Sequence, residues 1–305
     1  MTRISTYASY QLAQHEMLHT REEADKIFHQ TQNFKRASTF SDLGVDTGRA
    51  LNAHTLIDQI TSQRWVNNTV KTGVDLYANR LADLDMTMES FRIELLKAAS
   101  TGDAPTVNQE ISDAFNSLRT ALNSEDDGKK MFAGANTDED AFIPKSLDGL
   151  ASLGDADLGK AFGNDQVRRS GRVNDDSNFT YGILASDIGT DFLKALKDLH
   201  GLGDLPARLS NAQVEQLKDI AGRVRKGLDQ LRLVEAANGV RQNHVDAIET
   251  RAADRARIIT GVVSNLEDAD VAQASTALVA HQTMMQISMA AYKDWSQLSL
   301  ATFLR

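Results

Sequence analysis

The chain has no cysteine, three prolines in 305 residues, and aromatics at only 6%. Without cysteine there is no disulfide and no thiolate chemistry, and the redox compartment stays open. Three prolines are too few for a loop-rich protein. Few aromatics make any core mostly aliphatic, and 41% hydrophobic content is enough to build one. Basic charge is also short: 33 lysines and arginines against 42 acidic residues leave a net charge of −9. That balance argues against gripping a nucleic-acid backbone, which needs clustered cations. No stretch approaches the ~18 apolar residues of a membrane helix. The first residues lack the apolar region of a cleaved signal peptide. Catalytic loops are missing too, with no Walker loop, no G-x-G-x-x-G and no G-x-S-x-G.

What is present is helical periodicity. Val70, Val74, Tyr77, Leu81, Leu84, Met88, Phe91 and Leu95 alternate steps of four and three over four heptads. A seam of that length requires a facing helix. Ser210 to Arg305 is proline-free and supplies candidates. Leu217, Ala221, Val224, Leu228 and Leu231 form one stripe, and Val245, Ile248, Ala252, Arg255, Ile259, Val262 and Leu266 a second. Val271, Leu278, Met285 and Tyr292 step by seven, with Ala274 and Trp295 beside them. As one helix this segment would measure roughly 140 Å, although breaks are expected. Residues 3–32 read as a helix with a narrow apolar side of Ile4, Ala8, Leu12, Met17, Ala24, Ile27 and Phe28. A helix near Arg49 follows, then a third over Val107–Leu122 with Asp103 as N-cap and Pro105 in its first turn.

The middle differs. Residues 125–165 hold ten acidic and four basic side chains, six of the nine net negative charges, and read as surface loops. Runs at 166–173 and 178–184 around 174–177 read as a hairpin, and Asp187–Leu199 as a short helix. The expected fold is mainly α: an elongated antiparallel helical bundle or coiled coil formed by both chain ends, with a small mixed α/β inserted tip region. The expected domains are 1–40 with 265–305 as a terminal coiled coil, 41–135 with 209–264 as a helical bundle, and 136–208 as a small variable outward domain.

Two motifs suggest metals. His15-Glu16-Met17-Leu18-His19 is a literal H-E-x-x-H, the zinc-peptidase spacing. A catalytic zinc needs a third ligand and a cleft. No third histidine follows at the required spacing, and Glu22 and Glu23 are too close to reach back. Asn136-Thr137-Asp138-Glu139-Asp140 starts like a calcium loop but has Ala141 where glycine belongs and Leu147 where glutamate belongs. No metal and no cofactor are expected.

Three stretches carry a family resemblance. The opening Arg3-Ile4-Ser5-Thr6 is one. Gly128-Lys129-Lys130-Met131-Phe132-Ala133-Gly134, followed by Thr137, is the second. The ending, Asn265–Ala272 through Gln297-Leu298-Ser299-Leu300, is the third. Together they resemble the flagellin superfamily of bacterial flagellar axial proteins, and within it the hook–filament junction branch (hook-associated protein 3). The likeness covers most of 1–135 and 210–305. After the first helix the family usually has Gly-Lys-Arg and then Ser-Asp-Asp-Pro. Here Lys35-Arg36 and Ser41-Asp42 persist, Phe34 replaces the glycine, and Leu43-Gly44 replace Asp-Pro.

The resemblance implies a secreted structural protein, not an enzyme, located outside the cell in the bacterial flagellum and serving motility. It implies export unfolded through the flagellar type III channel on an uncleaved signal. It implies self-assembly into an axial layer between another hook-associated protein and flagellin, and an export chaperone on the C-terminal helix. Ile4, Leu12, Met17, Phe28, Val271, Leu278, Met284, Met285, Tyr292, Trp295, Leu298, Leu300 and Phe303 are the expected assembly residues. No nucleic-acid or membrane partner is expected. The alternatives are a short flagellin forming the filament itself, or a zinc metallopeptidase acting through His15, Glu16 and His19. Residues 1–32 and 270–305 are expected to order fully only on assembly, because their shared burial is small against ordering entropy.

Overall fold

The computed structural model describes the backbone over 2–174 and 177–303, and side chains over 8, 11–173 and 178–294. Seven helices account for most of it: α1 (Thr2–Asn33), α2 (Thr47–Thr101), α3 (Val107–Leu122), α4 (Leu147–Ala151), α5 (Ala185–Gly201), α6 (Asn211–Glu267) and α7 (Val271–Phe303). Two antiparallel hairpins join them: β1 (Glu125–Asp126) with β2 (Lys129–Lys130), and β3 (Ser170–Asn174) with β4 (Ser177–Thr180). The fold is mainly helical with a small mixed insertion. It divides into two compact units, 1–61 with 254–305 and 62–253, and α2 and α6 each contribute to both.

In the 62–253 unit, α2 and α6 run antiparallel. Arg64 pairs with Glu249, Lys71 with Asp246, Asp75 with Gln242 and Asp85 with Arg232, the partner number falling as α2 advances. All eight seam residues from Val70 to Leu95 are buried, as are Leu217, Ala221, Val224, Leu228 and Leu231. Burying each large aliphatic or aromatic side chain stabilises by roughly 1.5–3 kcal/mol. Two amides interrupt the apolar seam. Asn238 donates to the Val74 carbonyl at 2.9 Å, and Asn67 accepts from Gln63 at 3.3 Å. The second α6 stripe continues through Ala256 and Val263; Arg255 and Val262 face solvent. Arginine therefore does not sit on the seam, because a one-residue rotation puts alanine there.

Gly102, at φ 73°, ends α2. Its carbonyl accepts the Leu209 N–H at 2.8 Å, and Ala104 donates to the Ala207 carbonyl at 2.8 Å, tying the α2–α3 turn to the start of α6. Thr106, not Asp103, occupies the cap of α3, and Pro105 lies just outside the helix. The Asp127-Gly128 pair, with φ 50° and 71°, makes the tight β1–β2 turn. Both residues are left-handed, as a two-residue turn of type I′ requires. The reading of 125–165 as surface loops holds for its carboxylates, but not for Met131, Phe132, Ala133, Ala141, Phe142, Leu150, Leu158 and Ala161. These are buried in one cluster with α2, α3, α5 and α6. The apolar residues are sparse along this stretch, and they point inward together.

In the unit of 1–61 with 254–305, α1 and α7 pair antiparallel. The end of α1 meets the start of α7: Ala269 donates to the Phe34 carbonyl at 2.9 Å and Arg36 to the Glu267 carbonyl at 2.6 Å. The expected long C-terminal helix breaks at 268–270. Asp270 restarts it by accepting the Ala272 and Gln273 N–H groups at 3.0 and 3.1 Å.

Candidate assembly surface

The terminal helices meet along small and polar positions. On α1 the covered face is Ala13, Met17, Thr20, Ala24, Ile27 and Thr31, and on α7 Ala274, Leu278, His281, Met285, Ser288 and Tyr292. Both sets alternate steps of four and three. Of the expected assembly residues, Met17, Leu278, Met285 and Tyr292 lie on this covered face. Leu12, Phe28, Val271 and Met284 are exposed. The side chains of Ile4, Trp295, Leu298, Leu300 and Phe303 lie outside the described residues. Ala13, Thr20, Thr31, His281 and Ser288 were not singled out from sequence. Their heptad spacing was the available signal, but alanine and hydroxyl side chains do not register as apolar.

A groove of about 360 Å³ opens between the two helices, lined by Met17, Thr20, Met284, Ser288, Ala291 and Tyr292 among others. Val279, Met284, Ile287 and Met289 present a further exposed apolar face on α7. On the seam, His281 Nδ1 is buried without a hydrogen-bond partner among the described residues. A hydrogen bond from the Lys26 ammonium, 2.7 Å away, holds the Glu23 carboxyl below its usual range, with His19 and His281 adding to the effect. His15, Glu16 and His19 are exposed on α1. Among the described residues no group of three or more histidine or carboxylate side chains stands where it could hold a metal. No helix among them is long and apolar enough to cross a membrane.

Below the paired helices a polar clasp joins the chain ends. Lys35 reaches Asp268 at 2.7 Å and Glu267 at 3.5 Å, and His54 on α2 meets Glu267 at 2.5 Å. The hydrogen bond to Asp268 raises the Lys35 pKa, and the same contact lowers that of Asp268. Arg36 pairs with Asp46 at 3.0 Å. Asp42 accepts the Thr39 N–H and hydroxyl at 3.1 and 2.8 Å. Lys35, Arg36 and Asp42 thus hold the turn even though Leu43-Gly44 stand where Asp-Pro was expected. Phe34, where glycine was expected, sits at φ 59°.

The glycine-bounded motif has a physical basis. Its hairpin turn begins at Asp127-Gly128. Its far end, Gly134, has φ 76°, and a Cβ there would lie 2.1 Å from the Asp165 carboxylate. That carboxylate accepts the Ala135 and Val167 N–H groups at 3.0 and 2.9 Å. Between the two turns, the Tyr77 hydroxyl donates to the Met131 carbonyl at 2.5 Å, and its ring meets Phe132 edge-on at 5.2 Å.

No protein-family model matches the chain, and no curated protein sequence matches it. Solved structures do. A Vibrio parahaemolyticus protein, provisionally described as a flagellar hook-associated protein, aligns over 74% of this chain and 100% of its own, with a TM-score of 0.56 and 15% identity. The chain shares the fold of that Vibrio protein. Bacillus cereus FlgL also aligns, over 64% of this chain and 98% of its own, at a TM-score of 0.43 and 14% identity. Of the stretches that carried the sequence resemblance, Gly128–Gly134 forms the Tyr77-anchored turn and Glu267-Asp268 enter the clasp, whereas the Phe34 to Gly44 part of the clasp is where the chain departs from the family pattern.

Proposed function

We propose that the chain is a structural subunit of the bacterial flagellum that builds the hook–filament junction by self-assembly through its terminal helices. The observation that supports this reading is the fold shared with the Vibrio protein along that protein's whole length. The exposed apolar residues of α1 and α7 are consistent with helices that have further neighbours to cover them. In this reading 1–40 with 265–305 form the channel-lining coiled coil, 41–135 with 209–264 a helical bundle domain, and 136–208 a small variable outward domain. Leu12, Phe28, Val271 and Met284 meet neighbouring subunits, another hook-associated protein or flagellin. Before export, without a cleaved signal, a chaperone covers the apolar face of α7. No catalytic role is assigned.

Deletion of the gene tests the proposal. The expected result is cells with complete hooks, no filaments, and flagellin lost to the medium. Normal filaments would refute it, and bare hooks with no flagellin released would point to the filament subunit itself.

A further inference from the structure

On the α5–α6 side of the 62–253 unit lies a groove of about 290 Å³, lined by Arg168, Asp187, Leu233, Ala237 and Arg241 among others. Arg168 commits its guanidinium to Asp187, with bonds of 2.6 and 2.9 Å, and to the Gly182 carbonyl at 3.3 Å. Asp187 also accepts the Leu184 N–H at 3.0 Å, so its carboxylate is satisfied without Arg241. Arg241 is half-buried and makes no hydrogen bond or ion pair among the described residues. Burial lowers its pKa, neighbouring Arg168 adds to this and Asp187 opposes it. The guanidinium stays charged nonetheless. A half-desolvated guanidinium whose donors face water has donors free for a carboxylate that reaches it, and such charge-assisted bonds are the stronger kind. Next to it Leu233 and Val240, one heptad apart on α6, are 66% and 68% exposed, with Ala237 between them. The groove therefore combines an unpaired guanidinium with an open aliphatic strip.

The chain carries a matching element of opposite sign. Asp138 and Glu139 are adjacent, exposed and in no ion pair among the described residues, and Glu139 accepts only the Asn136 amide at 3.0 Å. Ile143, four residues on, is 52% exposed. Across a molecule of net charge −9, such cation–anion contacts offset the repulsion between like copies.

We propose that the Arg241 groove receives the Asp138–Ile143 turn of a second copy of this chain. This rests on the self-assembly reading above and adds to it a contact outside the terminal helices. The two patches differ, so the contact is head-to-tail and repeats from copy to copy, closing into a ring or rising into a helix.

The absence of cysteine makes the test direct in the full-length chain. Ala237→Cys and Ile143→Cys proteins, both checked for native helicity, are mixed under mild oxidation. The disulfide-linked heterodimer should exceed either homodimer about tenfold. Adding Arg241→Glu to the first protein should return it to the homodimer level. Adding Asp138→Lys and Glu139→Lys to the second should restore it. If wild-type protein self-associates in sedimentation while the heterodimer shows no excess, the groove contact is wrong and self-assembly stands. No self-association and no cross-link would remove both. A heterodimer indifferent to Arg241→Glu would also overturn the proposal, since the pairing would not use that guanidinium. Occupation by a different protein would leave both cysteine variants monomeric and would overturn it equally.

Discussion

Phe34 adopts φ 59° at the end of α1, with its ring largely exposed. A non-glycine residue in the left-handed region costs about 1–2 kcal/mol, and an exposed ring recovers little of it. Phe34→Gly should therefore leave stability unchanged or raise it by up to about 1 kcal/mol, the gain limited by the freer unfolded chain. A clear drop in melting temperature would show that the ring has a partner this reading lacks. At Tyr77 the sign is opposite. Desolvation pushes its pKa up to about 12, against Arg169, which lowers it. The folded pKa lies above the unfolded value near 10, so the stabilisation is complete below pH 10 and is lost as pH rises through 12. Up to about 2–3 kcal/mol should disappear across that window. Tyr181 is shifted upward as well and acts in the same direction. Urea unfolding followed from about pH 9, below that window, to about pH 12, its upper end, should show the decline, and Tyr77→Phe should flatten it. An equally steep decline in the variant would place the alkaline transition elsewhere.

The α2 seam and the α1–α7 pair are both heptad-spaced helices, yet they differ in what they bury. Leu81 is fully buried in the α2–α6 core. Leu81→Ala should cost about 2–5 kcal/mol in denaturant unfolding, and a loss under about half a kilocalorie would contradict that packing. On α1 and α7, by contrast, the buried apolar side chains among the described residues are two alanines, Ala24 and Ala274. Such burial offsets little of the 1–2 kcal/mol of backbone entropy lost per ordered residue. In the isolated monomer, amides of 11–31 and 275–294 should exchange with solvent much faster than those of 70–95. Equal protection would mean the terminal pair is stable without neighbours. The α2 pattern was legible because large apolar residues mark every turn. The α1 face was only half legible, since Leu12 and Phe28 stand out in sequence while Ala13 and Thr20 make the contact.

For the whole molecule, the 136–208 insertion decides how far the bundle is independent. Phe142, Phe192, Leu193, Leu196 and Leu199 share one cluster with Leu118, Leu122, Val224 and Leu228. Gly73 and Gly227 lack side chains where the rings of Tyr181 and Phe192 press on α2 and α6, with an added Cβ 2.8 and 2.7 Å from them. Replacing 136–208 with a short linker should therefore strip the open side of α3 and α6 and lower helicity per residue in the remaining chain, as measured by circular dichroism. Unchanged helicity would show that α2, α3 and α6 suffice alone. The acidic composition pointed outward because charge is read residue by residue, whereas burial depends on which few apolar residues converge.

The sequence alone determined the helical class, the seam of α2, the α6 stripe from Leu217 to Leu231 that packs with it, the β3–β4 hairpin and the absence of disulfides. Each of these depends on local spacing or on residue identity, and periodicity survives without knowledge of contacts. It also carried the likeness to flagellar axial proteins, through the glycine-bounded motif and the chain ends. The tertiary structure decided the rest. It showed why Gly134 must be glycine, since only folding brings Asp165 beside it. It moved the α6 seam from Arg255 and Val262 to Ala256 and Val263, and drew the apolar residues of the acidic middle into the main core. It also left Arg241 half-buried without a partner. These outcomes depend on side chains far apart in sequence meeting in space, and no spacing rule within one helix encodes that meeting.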